Sequence, residues 1–263
     1  MQIVGVLGRD HDLHHALTRF RDPLGRFHLH PLQDGPVESV LQGLVPLEFA
    51  GVLLLGDEFE QAASGLLERT SLDAKELGAI DTVSVAAGGL IGEYNAGRAV
   101  GSLLAAADWD GRGARAVLLG AGKRAAAIAR ELSSMGVAQI VILADDRPAA
   151  ERSATKLAAT TTVVASAHSD PRVDGFLAEA DLLVRVDPLA DVPKEAMGPH
   201  LCLIDLRAER VSALRQQALN VGALTFNLLD YQAHRLALGL GHVLGSAVEL
   251  EPLLALLHDT PQG

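Results

Sequence analysis

Short runs of apolar, often β-branched residues recur along the chain, and longer stretches with helical spacing separate them. The runs predict strands at Gln2–Leu7, Gly51–Leu55, Asp81–Ala86, Ala116–Leu119, Gln139–Leu143, Thr162–Ala165, Leu182–Val186, Cys202–Leu206 and Ala223–Phe226. Segments such as VLLL and LCLIDL are apolar without alternation, the pattern of strands covered on both faces. Lys123–Met135 and Arg147–Thr160 carry apolar residues three and four apart, as amphipathic helices do. Strand and helix in alternation predict an α/β chain with a parallel sheet and right-handed crossovers. Tyr231–His258 reads as almost wholly helical, with breaks at Gly239, Gly241 and Gly245. A polar DWDGRG at Asp108–Gly113, followed at once by a new strand, marks a domain boundary. The pattern leaves the closing helices free to join either domain.

Composition narrows the class. Of 263 residues, 49% are hydrophobic and only 3% aromatic, which excludes a disordered chain and predicts a core of Ala, Leu and Val. The single Cys202 excludes a disulfide framework and a multi-cysteine zinc site. With 22 Lys+Arg against 33 Asp+Glu the net charge is −11, which argues against a nucleic-acid partner. No run approaches the roughly 18 apolar residues of a membrane span, and the opening MQIVGVLGRDHD lacks a basic leader region. A cytoplasmic protein with a small-molecule ligand is expected, and a homodimer is compatible with this reading.

The most informative segment is ARAVLLGAGKRAAAIAR, where the strand Ala116–Leu119 runs into Gly120-Ala121-Gly122-Lys123-Arg124-Ala125 and then a helix. In such a turn the first glycine permits the tight bend, the second admits a pyrophosphate, and a small third residue lets helix and strand pack closely. Gly120, Gly122 and Ala125 take these three places, and Lys123 and Arg124 add charge beside the helix N-terminus, which itself favours anions. The following strand, QIVILADD, ends in Asp145 and Asp146, placed to accept from a ribose 2′-hydroxyl and to repel a 2′-phosphate. NAD is therefore the expected cofactor, ahead of NADP. A turn that packs a helix without binding anything is the plain alternative.

With that loop second in a two-domain chain, the sequence resembles the shikimate/quinate dehydrogenase family over essentially its whole length. GVLGRDHDLHHAL resembles the opening strand and substrate loop, where members carry Ser-Leu-Ser-Pro. FAGVLLLGDEFEQAA falls where they read Gly-x-Asn-Val-Thr-x-Pro-x-Lys. LGAIDTVSVAAGGLIGEYNAG resembles Gly-Ala-x-Asn-Thr-Val followed by Gly-x-Asn-Thr-Asp, and LLDYQAH the closing Leu-x-x-Gln segment. The resemblance implies an N-terminal α/β substrate-type domain, a Rossmann-like dinucleotide-binding domain, and C-terminal helices returning to the first. That division is residues 1–107 plus 232–263, and 108–231. It also implies hydride transfer between a nicotinamide and the ring alcohol of a small hydroxylated acid, a Lys-Asp pair doing the proton work.

The departures fall on that chemistry. Phe59 stands at the lysine position, Gly97 at the aspartate position, and Asp12 and His14 at the two substrate serines. Asp81 replaces the first asparagine, while Asn95 and Gln232 remain as substrate-type polar groups. Gly51–Ala63 contains no Lys or Arg, so no shift of alignment restores the pair there, and Lys75 reads as a solvated helix residue. A phenylalanine cannot shuttle a proton. In HDLHH, His14 could act as an acid or base, or Asp12 could simply cap a helix. Without a second His/Cys/Glu motif no metal site is assigned. Asp81 could equally close a turn, Asn95 cap the helix after it, and Gln232 lie on a wet face. Where the family reads Asn-Ala-Thr-Pro beside its nicotinamide, this chain has Arg185-Val186-Asp187-Pro188. Arg185 could pair with Asp187 or a phosphate, or emerge at a strand end.

Overall fold

The computed structural model describes residues 1–8, 11–33, 35–154, 157, 160–187, 192–207 and 212–259, apart from the side chains of residues 11, 12 and 15. The chain divides into two compact units, Met1–Asn95 with Ala233–Gly263, and Ala96–Gln232. Pro188 lies outside the described residues.

The first unit runs β1 (Gln2–Gly8), α1 (His11–Arg19), β2 (Phe27–Pro31), α2 (Val37–Leu44), β3 (Phe49–Leu55), α3 (Asp57–Ser64), α4 (Leu72–Leu77), β4 (Thr82–Ala86) and β5 (Gly89–Glu93). Its sheet has the order β2-β1-β3-β4-β5. β1, β2 and β3 are parallel, as expected, whereas β4 and β5 form an antiparallel hairpin that the sequence pattern did not signal. Val4, Val6, Val52 and Leu54 at its centre are fully buried, which is why these strands read as continuous apolar runs.

The second unit begins with α5 (Ala96–Ala106) and continues through β6 (Arg115–Leu119), α6 (Lys123–Ser134), β7 (Gln139–Ala144), α7 (Arg147–Ser153), β8 (Thr162–Ala167), α8 (Val173–Ala178), β9 (Leu182–Arg185), β10 (Cys202–Asp205), α9 (Ala213–Asn220) and β11 (Leu224–Asn227). All neighbours in its six-stranded sheet are parallel, in the order β11-β10-β9-β6-β7-β8. Counted from β6, this is 6-5-4-1-2-3, the doubly wound dinucleotide-binding arrangement. Its switch point lies between β6 and β9. Ala125, Ile128, Ala129 and Leu132 of α6 are fully buried, and the two alanines suit close helix packing.

All nine expected strands are present, with ends shifted by one or two residues. Two helix readings need correction. Within the pattern Arg147–Thr160, α7 ends at Ser153, after Asp146 caps its start by accepting the Ala149 N–H at 2.7 Å, and residues 155, 156, 158 and 159 lie outside the described residues. Gly239 and Gly241 do not break the closing helix, because α10 (Leu228–Leu244) runs straight through them; Gly245, at φ +66, ends it before α11 (Glu251–Asp259). Gly239 sits where a Cβ would come within 2.6 Å of Thr82 Oγ1, so it serves close packing inside a helix.

Cys202 opens β10 and is 1% exposed, and burial pushes its thiol up to about 12. The thiolate is the reactive form. A disulfide reagent at pH 8 is therefore expected to leave the folded protein unlabelled and to label one thiol per chain in urea. Rapid labelling without denaturant would show that β10 opens locally.

Candidate functional site

In the first unit a buried ion cluster joins α3, the start of β4, the end of β5 and α10. Arg235 of α10 donates through Nε to Asp81 Oδ2 at 3.1 Å, and through Nη2 to Glu60 Oε1. The Arg235 side chain is 12% exposed and those of Glu60 and Asp81 are 3% and 2%. Asp81 also accepts the Asn95 backbone N–H at 2.8 Å, Asn95 Nδ2 at 2.9 Å and Thr82 Oγ1 at 2.9 Å. Both of its oxygens are thus doubly engaged. Because Thr82 gives its proton to Asp81, its oxygen accepts from Asn95 Nδ2 at 3.2 Å. The amide is thereby fixed with Nδ2 inward. Asn95 Oδ1 remains buried without a hydrogen-bond partner among the described residues, an acceptor facing no donor.

The residues of α10 that make these contacts recur at helical spacing. Arg235 reaches Asp81, Gly239 packs on Thr82, and His242 Nε2 lies 3.2 Å from Ser84 Oγ. His242 Nδ1 is 3.9 Å from Glu93 Oε1. One helix face therefore lays a line of polar contacts across β4 and β5.

Phe59, read at the lysine position, is 4% exposed and packed on the inner face of α3. Gly97, read at the aspartate position, lies in α5, where a Cβ would run into the Ala127 carbonyl of α6, with its carbon at 2.8 Å. Gly101, one turn on, would place a Cβ 2.9 Å from the Glu131 carboxyl carbon. Gly97 lets α5 approach the backbone of α6, and Gly101 leaves room for the Glu131 side chain.

The other sequence candidates scatter. His14 of α1 is half-buried and its Nε2 donates to the Val6 carbonyl at 3.0 Å. Asp12 lies in the same helix, but its side chain falls outside the described residues. Gln232 is half-buried on α10. Asp81 and Asn95 do come together, yet as parts of the ion cluster. Arg235 and Glu60 were missed. Their available signals were an arginine among apolar residues of the closing helix and a glutamate beside Phe59 on an otherwise apolar face.

In the second unit, Gly120 and Gly122 have φ +123 and +95, conformations that need glycine, and α6 starts directly after them. Ala125 is fully buried, as the third position requires. Lys123 and Arg124 form the first two helical residues and are half-buried. Asp145 and Asp146 are exposed at the end of β7, Asp146 being the cap of α7. His168, after β8, has both ring nitrogens buried without partners among the described residues; burial pushes its imidazole down while the Asp145 charge pulls it up. Arg185 pairs with Asp205 of the adjacent strand, Nε to Oδ1 at 2.8 Å. Among the described residues no three His, Cys, Asp or Glu gather as a metal would need, and no helix is long and apolar enough to cross a membrane.

A doubly wound sheet with a glycine turn at its switch point, in a chain that also carries a second α/β unit, defines a protein of the dinucleotide-binding fold class. No family model matches the chain. The chain is 30% identical over 258 residues to the shikimate dehydrogenase (NADP(+)) of Symbiobacterium thermophilum, an alignment covering 89% of this chain and 86% of that protein. It belongs to the shikimate dehydrogenase family. The fold matches the Listeria monocytogenes shikimate 5-dehydrogenase solved with shikimate and NAD, at TM-score 0.82 and 17% identity over 98% of this chain and 96% of that one. It also matches the 5-ketofructose reductase of a Gluconobacter species, at TM-score 0.80 and 22% identity over 98% of each chain.

Proposed function

We propose that this chain is an NAD-using oxidoreductase of the shikimate dehydrogenase type with an altered substrate site, acting on a small hydroxylated ring acid or related alcohol. The observation that carries the reading is the glycine turn at the switch point of the 6-5-4-1-2-3 sheet. Gly120, Gly122 and the start of α6 would hold the pyrophosphate, and Asp145 the adenosine ribose. Bound there, a nicotinamide supplies or accepts the hydride. Asn95 Oδ1 offers an acceptor to a substrate hydroxyl, and its geometry is fixed by Asp81 and Thr82. Proton transfer at the alcohol must come from a group other than residue 59.

A second reading is a non-catalytic relative that binds a nucleotide or metabolite as a sensor. The burial of Phe59 and the full engagement of Asp81 favour it. Thermal unfolding with NAD, NADP, shikimate and quinate tests both, since any ligand of the folded state raises its midpoint. The expected result is a larger shift with millimolar NAD than with equal NADP, because Asp145 repels the 2′-phosphate. No shift with either nucleotide overturns the cofactor reading. NAD binding without turnover of any hydroxylated ring compound favours the sensor.

A further inference from the structure

The glycine turn of the second unit already carries a carboxylate of its own. Asp187 lies two residues beyond β9, whose Arg185 is in register with Leu119 of β6, so it stands at the switch point where doubly wound sheets take their ligands. Its backbone N–H donates to the Leu119 carbonyl at 3.1 Å, which anchors the residue beside the turn. Its Oδ2 accepts the Ala121 N–H at 3.1 Å, and a Cβ on Gly120 would come within 2.6 Å of the same oxygen. The next amide, that of Gly122, donates to Ser153 Oγ at 2.9 Å, and that serine is buried and in turn donates to the Ala149 carbonyl.

Successive amides of such a turn are the groups that receive an anion. Here both have acceptors from within the chain, and one acceptor is a charged carboxylate. A phosphate approaching the turn meets a like charge on the amide it would use.

We propose that Asp187 is a tethered anion on the glycine turn and so sets which ligand charge this unit admits. Dinucleotides enter only by displacing the carboxylate, and ligands that are neutral at that point meet no such barrier. The inference rests on the nucleotide reading above and adds to it a residue that weakens, rather than supports, pyrophosphate binding.

Calorimetric titration of the full chain with NADH, and separately with adenosine, tests it in the wild type, Asp187→Asn and Asp187→Ala. Asparagine keeps an acceptor for the Ala121 N–H, so it preserves the turn should the alanine variant fail to fold. Removing a like charge beside the pyrophosphate is expected to tighten NADH binding by roughly tenfold or more. Adenosine, which carries no phosphate, is expected to bind the wild type and Asp187→Asn equally. Equal or weaker NADH binding by folded Asp187→Asn overturns the inference and leaves the nucleotide reading standing. A parallel gain for adenosine also overturns it, because the effect is then not one of charge. No NADH binding by any folded variant removes the nucleotide reading, and this inference with it.

Discussion

Replacing Arg235 by methionine is expected to cost about 3–5 kcal/mol of folding stability, the penalty for leaving buried acids without their cation. Arg235 bridges Glu60 and Asp81, whose side chains are 3% and 2% exposed, so little water can take the guanidinium's place. Asp81 would keep three donors, from the Asn95 backbone, Asn95 Nδ2 and Thr82. The check is urea unfolding at neutral pH, read as a lower midpoint with an unchanged slope. Glu60→Leu combined with Arg235→Met is expected to recover much of the deficit, because an apolar pair can replace a buried ion pair at little cost. A loss below about 1 kcal/mol in the single variant would place this cluster with ordinary screened surface pairs.

Gly97→Asp, which puts a carboxylate where the sequence reading aligns the family's aspartate, is expected to destabilise by roughly 3 kcal/mol or more. The α5–α6 crossing leaves no volume for a Cβ, since its nearest neighbours are backbone atoms of Ala127. Backbone cannot swing aside as a flexible side chain can. The carboxylate would be driven into a packed contact as well. Gly97→Ala isolates the steric part and is expected to lose stability by a smaller amount, about 1–3 kcal/mol. Thermal or urea denaturation of both variants decides the matter. Wild-type stability in Gly97→Asp would mean that the two helices part easily at this crossing.

The sequence reading succeeded where burial is two-sided. β1, β3, β6, β7, β9 and β10 lie inside their sheets and wrote themselves as unbroken apolar runs. The two strands it missed, β2 and β5, are the edges of the first sheet. FHLHP alternates and ends in proline, and GLIGE is interrupted by glycine, so neither satisfies the pattern of a covered strand. The glycine turn was legible because it demands particular residues at particular places, and Gly120, Gly122 and Ala125 lie as expected. The ion cluster was not. Glu60, Asp81 and Arg235 are far apart in the chain, and only the fold brings α3, β4 and α10 to one point. Asp187 was seen as a departure from the family's nicotinamide loop, but its bond to Ala121 required coordinates.

Those unrecognised edges bear on how copies of the chain can associate. β2 offers only five residues and ends at Pro31, which has no N–H to give, while β5 has five residues, glycines at its first and fourth positions, and Gly92 already bonded through its N–H to Arg69 and through its carbonyl to Ser71. Short edges broken by proline and glycine are poor templates for an incoming strand. Extension of this first sheet from one copy to the next is accordingly disfavoured, and so is the fibrous aggregation that would start from it. Self-association of this unit would have to run through side-chain surface, where sequence can tune it, rather than through the backbone that every chain shares.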